Sequence, residues 1–188
     1  RGDVAIAIRK YVVTDLGVDD YAQAGAFDGL HTKTQREPVQ ARLKALQQKG
    51  DFADLLKTAV RERCNIVISG GTSSGKTTFL NAMLREVDCA ERVILIEDTP
   101  ELKIAHKNAV GLIASRSALG EAVVTMEDLL NASLRMRPDR IILGELRGPE
   151  AFTFLRAVNT GHPGSMTTIH ADSPERAIEQ LVLLVLES

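Results

Sequence analysis

The chain has 188 residues, enough for one sizeable core or for one domain and part of a second. Its composition, 44% hydrophobic and 26% charged, excludes a disordered tail, a collagen-like fibre and a low-complexity array. With 23 basic against 25 acidic residues the formal net charge is -2, so no bulk positive field advertises nucleic acid, and sequence-specific nucleic-acid binding is not expected.

The longest late apolar run, Leu181 to Leu186, falls far short of the ~20 residues of a membrane span. The charged start, Arg1-Gly2-Asp3, has no apolar stretch of the kind a secretory leader carries. Cys64 and Cys89 stand far apart without a CxxC pattern, which suggests neither a disulfide framework nor a zinc site and makes reducing cytosol the expected compartment. A start without Met and a stop directly after an apolar helical stretch read as a piece of a longer protein.

In chain order, Val4 to Val13 is rich in β-branched residues and alternates Val4, Ile6 and Ile8 against Ala5, Ala7 and Arg9, which predicts a strand. Thr14 to Gln35 carries Gly17, Gly25 and Gly29 without clean periodicity and suits a linker with short helical turns. Pro38 opens a helix that Gly50 closes, and Asp51 caps a second with Phe52, Leu55, Leu56 and Ala59 on one face. From Asn65 onward apolar strands alternate with helices. Strands are expected at Ile66 to Ile68, Arg92 to Glu97, Val110 to Ala114, Ile141 to Leu143 and Ser165 to Ile169. Helices are expected from Lys76 to about Glu86, from Met126 to Arg137 behind a Thr125/Asp128 capping box, from Pro149, and from Pro174. Continuous apolar strands between helices imply an α/β fold with a parallel sheet covered on both faces.

Gly70-Gly71-Thr72-Ser73-Ser74-Gly75-Lys76-Thr77 satisfies G-x-x-x-x-G-K-[ST] at every constrained position and lies between a predicted strand and a predicted helix. Glycines let the backbone turn tightly enough for its N–H groups to converge on phosphate oxygens, and the helix adds its positive end. Lys76 would reach the β- and γ-phosphates and the Thr77 hydroxyl would ligate Mg²⁺. With Thr78 next on the helix, the candidate nucleotide-binding set is Gly70, Gly71, Thr72, Ser73, Ser74, Gly75, Lys76, Thr77 and Thr78.

Glu97 and Glu145 terminate apolar strands, and the carboxyl ends of such strands line the ligand crevice of an open α/β sheet. A carboxylate there holds Mg²⁺ or orients the attacking water for in-line displacement. The strand-terminal Asp usual in phosphate-loop enzymes is absent: Gly144 stands in its place and Glu145 has to serve one position later. Asp98 either binds water or caps the following turn, and Glu101 is equally readable as surface. His162 and His170 flank the last strand without metal-ligand spacing; His170 is either a structural hydrogen-bonder or a γ-phosphate sensor, and His162 either a turn residue or a phosphate contact. Arg135, Arg137, Arg140 and Arg147 crowd toward Glu145; helix-end charge accounts for the first two, and Arg147 is the preferred phosphate-contacting arginine.

Four motifs in this order resemble a known family. They are the phosphate loop, the acidic box Ile96-Glu97-Asp98-Thr99-Pro100-Glu101-Leu102, the glutamate-only strand motif Ile141 to Gly148, and the histidine box from Asn159 through His170-Ala171. The set is similar to the hexameric ATPases of type IV secretion, within the wider type II/IV secretion ATPase superfamily. Pilus motors and type II secretion ATPases usually read Glu-Asp-Pro where this chain has Glu97-Asp98-Thr99-Pro100, which points to the type IV secretion and conjugal-transfer branch. The resemblance implies a RecA-like phosphate-loop ATPase domain over residues 37–188, a linker over 14–36, and, over 1–13, the last strand of an N-terminal domain with Arg9 as a phosphate contact. It further implies ATP and Mg²⁺ as cofactors, with Glu97 as candidate general base, Glu145 as ligand to metal or water, and His170 as phosphate sensor. A homo-hexameric ring on the cytoplasmic side of the bacterial inner membrane, working on secretion-channel components, follows from the same likeness. The competing readings are a pilus or type II secretion motor, a RecA- or helicase-like DNA-dependent ATPase, and a nucleotide-gated scaffold.

Overall fold

Each of the five apolar runs after Asn65 forms a strand, and every neighbouring pair is parallel. In the computed structural model, which describes residues 6–8, 17–26, 36–115 and 123–188, they are β1 (Ile66–Gly70), β2 (Val93–Glu97), β3 (Ala109–Ile113), β4 (Arg140–Leu146) and β5 (Met166–His170), in the order β1-β5-β4-β2-β3. Parallel neighbours need crossover connections, and helices supply them: α4 (Lys76–Leu84), α5 (Met126–Ser133), α6 (Glu150–Asn159) and α7 (Pro174–Leu186). The strands read as unbroken apolar runs because both faces are covered. Ile94, Ile96, Ile141, Leu143 and Ile169 pack with Leu130, Phe154 and Leu181 of α5, α6 and α7. Val93, Leu95, Ile142 and Met166 pack on the other face with Val60, Leu80, Met83 and Leu84. This is the expected α/β architecture, a parallel sheet flanked by helices.

Ahead of the sheet lie α1 (Val18–Gln23), a six-residue turn inside the expected linker, then α2 (Arg36–Lys49) and α3 (Phe52–Arg61). The second begins two residues before the predicted Pro38 and ends at Gly50, whose φ of 72° only glycine adopts without strain. Asp51 caps α3 as expected, accepting from the Asp54 amide at 3.2 Å. Of the expected strand Val4 to Val13, only residues 6–8 are described; they form no strand, and Arg9 lies outside the described residues.

The helix after Thr125 is shorter than its sequence suggested. It stops at Ser133, whose hydroxyl donates back to the Leu130 carbonyl at 2.7 Å, and passes through a 3₁₀ turn, Leu134–Met136, to Arg137 at φ 54°. The following Pro138 disfavours helical backbone at Arg137. At its other end the capping box is complete: the Asp128 amide donates to the Thr125 hydroxyl oxygen at 3.1 Å, and the Thr125 amide to Asp128 Oδ2 at 3.0 Å. The Thr125 hydroxyl, then its amide, hold the Asp128 carboxyl below its ordinary 3.8. A carboxyl with a lowered folded value stabilises the fold above its unfolded value and loses that contribution as pH falls through the folded one, so the box weakens only in acid.

Where the strands enter the sheet, a buried charge gathers their approaches. Arg140 is fully buried, donates Nε to Glu91 Oε2 at 2.7 Å and Nη2 to Glu91 Oε1 at 2.9 Å, and reaches the Gly164 carbonyl at 3.3 Å. Arg63 adds a second cation 3.1 Å from Glu91. Gly164 sits at φ 82°, and a Cβ there would stand 2.7 Å from Arg140 Nη1. Removing one partner of a buried pair strands the other charge, at a cost of about 3–5 kcal/mol. Glu91→Ala is therefore expected to lower unfolding free energy by about that amount in urea titration, whereas loss of an exposed pair such as Arg42–Glu62 is expected to cost no more than about 1 kcal/mol.

Candidate functional site

The carboxyl ends of β1, β5, β4 and β2 open onto one cleft of about 570 Å³. It is lined by Thr72 to Thr78, Glu97, Asp98, Thr99, Glu101, Met126, Gly144, Glu145, Arg147, Thr168 and His170. The phosphate loop forms one wall. It leaves β1 at Gly70, where a Cβ would meet Ser74 Oγ at 2.4 Å and Lys76 Cγ at 3.2 Å, so a side chain there would displace those of the loop folding back over it. It then passes through Ser73 at φ 59° and Gly75 at φ 87°, both in the left-handed region. Gly75 is the N-cap of α4, which presents its unpaired first-turn N–H groups to the cleft. Lys76 Nζ is held over the loop by the carbonyls of Gly70 and Gly71 at 3.0 and 2.9 Å. Convergent amides, a helix start and an ammonium make this wall a receptor for polyphosphate.

The opposite wall is acidic. Glu97 ends β2 on the α4 face, is 5% exposed, and accepts the Glu101 and Leu102 amides on Oε1 at 2.9 and 2.8 Å. The acidic box thus hangs from its own glutamate. Asn81 of α4 pins the same loop, donating to the Glu101 carbonyl at 3.1 Å and accepting the Lys103 amide at 2.7 Å.

Glu145 reaches the cleft through a β-bulge. Leu143 pairs with Thr167 and Leu146 with Ile169, so three steps along β4 match two along β5. Strict alternation would place Glu145 beside Ile141 and Leu143 in the core; the extra residue gives that place to Leu146 and re-aims Glu145 at the cleft. Thr168 fastens the bulge, donating its hydroxyl to the Gly144 carbonyl at 2.8 Å. A Cβ at Gly144 would lie 3.5 Å from Glu97 Cγ, in ordinary contact, so a side chain there would point at Glu97. Glu145 Oε2 pairs with Arg147, whose Nη1 also stands 3.5 Å from Asp98 Oδ2. His170 Nε2 stands 2.7 Å from Glu145 Oε1 but outside hydrogen-bond alignment, leaving that buried oxygen without a directed donor.

The fold therefore brings the loop residues, Glu97, Glu145, Arg147 and His170 together. His162 does not join them: it stands at the entry end of β5, with Nδ1 3.0 Å from the Pro138 carbonyl and its own carbonyl accepting from Ser165. Its contacts within this chain are those of the turn that leads into β5. Arg140 belongs to the buried charge described above, and Arg9 lies outside the described residues. Three residues escaped the sequence reading. Thr168 shares its β5 face with His170, two positions on, a parity that was there to be counted; Asn81 acts through tertiary contacts that no spacing announces, and Glu150 through local bonds to the two amides ahead of Pro149. Among the described residues no group of three His, Cys, Asp or Glu is arranged to hold a metal. The cleft offers two oxygen donors suited to a cation carried on phosphate oxygens, the Thr77 hydroxyl and the undirected Glu145 oxygen, which would be the residues to hold it.

Comparison with known proteins places this architecture. Residues 32–188 match the family model described as type II/IV secretion system protein. The chain is 40% identical over 200 residues to the type IV secretion system protein VirB11 of Bartonella henselae, covering all of this chain and 56% of that one. The crystal structure of the VirB11 ATPase from the Brucella suis type IV secretion system, in complex with sulphate, superimposes with a TM-score of 0.86 at 40% identity, over 96% of this chain and 52% of that one. The pilus retraction motor PilT with bound ADP gives a TM-score of 0.57 at 31% identity, over 70% of this chain and 38% of that one. The chain thus spans about half the length of the curated relatives it matches. These likenesses fix the fold as that of the RecA-like secretion ATPases.

The bulge gives a test that needs no ligand. Thr168→Val keeps side-chain shape but leaves the Gly144 carbonyl without its donor, which should cost about 1–3 kcal/mol of stability by urea unfolding. Hydrogen exchange should accelerate at Gly144 to Leu146 in that variant before it does so elsewhere in the sheet.

Proposed function

The chain belongs to the type II/IV secretion system protein family, and from that premise we propose that it is the ATP-hydrolysing core of a type IV secretion ATPase. The observation that carries the reading is the convergence, in one cleft, of the complete phosphate loop with Glu97, Glu145 and His170 from three adjacent strand ends. The loop amides of Gly71 to Thr77 hold the β-phosphate, and Lys76 turns from its carbonyl partners to the β- and γ-phosphates. Mg²⁺, held by Thr77 and by Glu145 directly or through water, would neutralise charge on the phosphate oxygens. Glu97 orients the attacking water and is the candidate to accept its proton: Oε1 is committed to the acidic-box amides, so Oε2 does this work. Glu145 polarises the same region, Arg147 moves from its carboxylate partners toward the transferring phosphoryl group, and His170 donates to the γ-phosphate from the end of β5.

In the whole protein, six copies form a ring at the cytoplasmic face of the inner membrane, peripheral to it and in contact with secretion-channel components. Nucleotide closes this domain against an N-terminal one, and hydrolysis reopens them. No helix among the described residues is long and apolar enough to cross a membrane. The greater identity to VirB11 than to PilT, and the Glu97-Asp98-Thr99-Pro100 spacing, favour secretion over pilus retraction.

Steady-state ATP hydrolysis by the full-length protein, with molar mass from light scattering, tests the reading. The expected result is slow turnover from a species about six times the monomer mass, abolished in Lys76→Ala. Glu145→Gln should bind ATP with near-normal affinity yet hydrolyse it at least about a hundredfold more slowly, the scale on which removing a transition-state electrostatic contact acts. Normal turnover in that variant would remove Glu145 from the mechanism, and tight binding by a monomer without turnover would favour a nucleotide-gated scaffold.

A further inference from the structure

We propose that Glu150 is a positioning residue for the reaction centre, holding the turn that carries Arg147 in the register where its guanidinium meets Glu145 and Asp98. The inference rests on the ATPase reading above and adds to it a residue outside the cleft lining.

The turn between β4 and α6 reads Arg147-Gly148-Pro149, and Pro149 has no N–H to give. The two amides ahead of it, Arg147 N and Gly148 N, both donate to a single oxygen, Glu150 Oε1, at 2.7 and 2.9 Å. Glu150 is the first residue of α6, and its side chain folds backward over the turn to reach them. The carboxylate is 6% exposed, an unusual place for a glutamate unless its hydrogen bonds are made. Gly148 shows how close the approach is: a Cβ there would lie 3.2 Å from Glu150 Oε2. The turn closes further through the Ala151 amide on the Gly148 carbonyl at 3.0 Å.

These bonds bear on chemistry because of what the turn carries. Arg147 lies two residues beyond Glu145 and is 59% exposed, so packing does little to hold it. Its orientation comes from its backbone and its two carboxylate partners, Glu145 Oε2 and Asp98 Oδ2. The two amide bonds to one side-chain oxygen fix that backbone from the side of α6, which is anchored in the core by Ala151, Phe154 and Ala157. Glu150 thereby couples the rigid face of the sheet to the one arginine of the turn. It touches neither phosphate nor water and acts through Arg147.

The decisive feature is reach rather than charge. In full-length protein, Glu150→Gln keeps an oxygen at the same distance from both amides, whereas Glu150→Asp keeps the charge but falls one methylene short. The measurements are kcat, ATP affinity by equilibrium titration, and hydrogen exchange of the segment containing the Arg147 and Gly148 amides. Glu150→Asp and Glu150→Ala should lower kcat by at least about tenfold with ATP affinity within twofold, as a displaced reacting group does, and should lose protection at those two amides. Glu150→Gln should stay within about threefold of the parent in kcat and keep the protection. Loss of protection with unchanged kcat overturns the proposal, as does damage from Glu150→Gln equal to or greater than that from Glu150→Asp, since reach would then not be what the residue supplies. The exchange measurement is independent of turnover: a parent protein that protects these amides but hydrolyses no ATP refutes the ATPase reading, whereas a parent that hydrolyses ATP without protecting them refutes this one.

Discussion

Arg140 carries a charge at zero exposure, and the sheet is arranged around the need to answer it. Its bidentate partner Glu91 precedes β2, the second cation Arg63 precedes β1, and the carbonyl it reaches belongs to Gly164 ahead of β5. Four strands therefore enter the sheet through one electrostatic junction. Such junctions contribute little net stability compared with well-packed apolar groups, but they penalise any register that separates the partners. With the entries gathered, parallel strands of similar length deliver their exits together. The cleft is made of those exits.

At that far edge the same economy recurs on a smaller scale: side chains that carry chemistry are also asked to hold backbone. Glu97 offers one oxygen to the cleft and gives the other to the amides of its own loop. Lys76 rests on two loop carbonyls. Glu145 is aimed by a bulge that Thr168 fastens, and Arg147 by a turn that Glu150 holds. Each of these groups, which the proposed reaction brings to phosphate or water, is thus held by neighbours before any ligand arrives, which is the physical content of preorganisation.

Much of this was legible in the sequence, for reasons that can be named. The strands announced themselves because a sheet covered on both faces needs unbroken apolar runs, and the phosphate loop because its backbone path tolerates few residue types. Glu97 and Glu145 were legible because each follows an apolar run that ends on the ligand-facing edge. His170 and His162 each kept two readings in the sequence, since the two flank the same strand and only its direction, seen in the fold, decides which of them faces the cleft. The bulge at Gly144 was hidden: strand parity counted from Ile141 sends Glu145 into the core, and the extra residue that prevents this appears only in the pairing of β4 with β5. Asn81 and the Arg140 junction were hidden too, because a hydrogen bond between distant segments leaves no period and no spacing in a single chain; Glu150 was hidden although its bonds are local, because a glutamate at a helix start reads as ordinary end charge.

Ser73 sits in the left-handed region at φ 59°, in a loop with glycine available on both sides of it. An L-residue there gives up about 1–2 kcal/mol relative to its relaxed backbone. The loop therefore holds mechanical tension as built. Its curvature is settled during folding rather than at the encounter with an anion, so some of the entropy that a slack glycine loop would surrender on binding has already been surrendered. In the proposed ATPase cycle, that arrangement would shift the cost from every turnover to a single event at the birth of the fold.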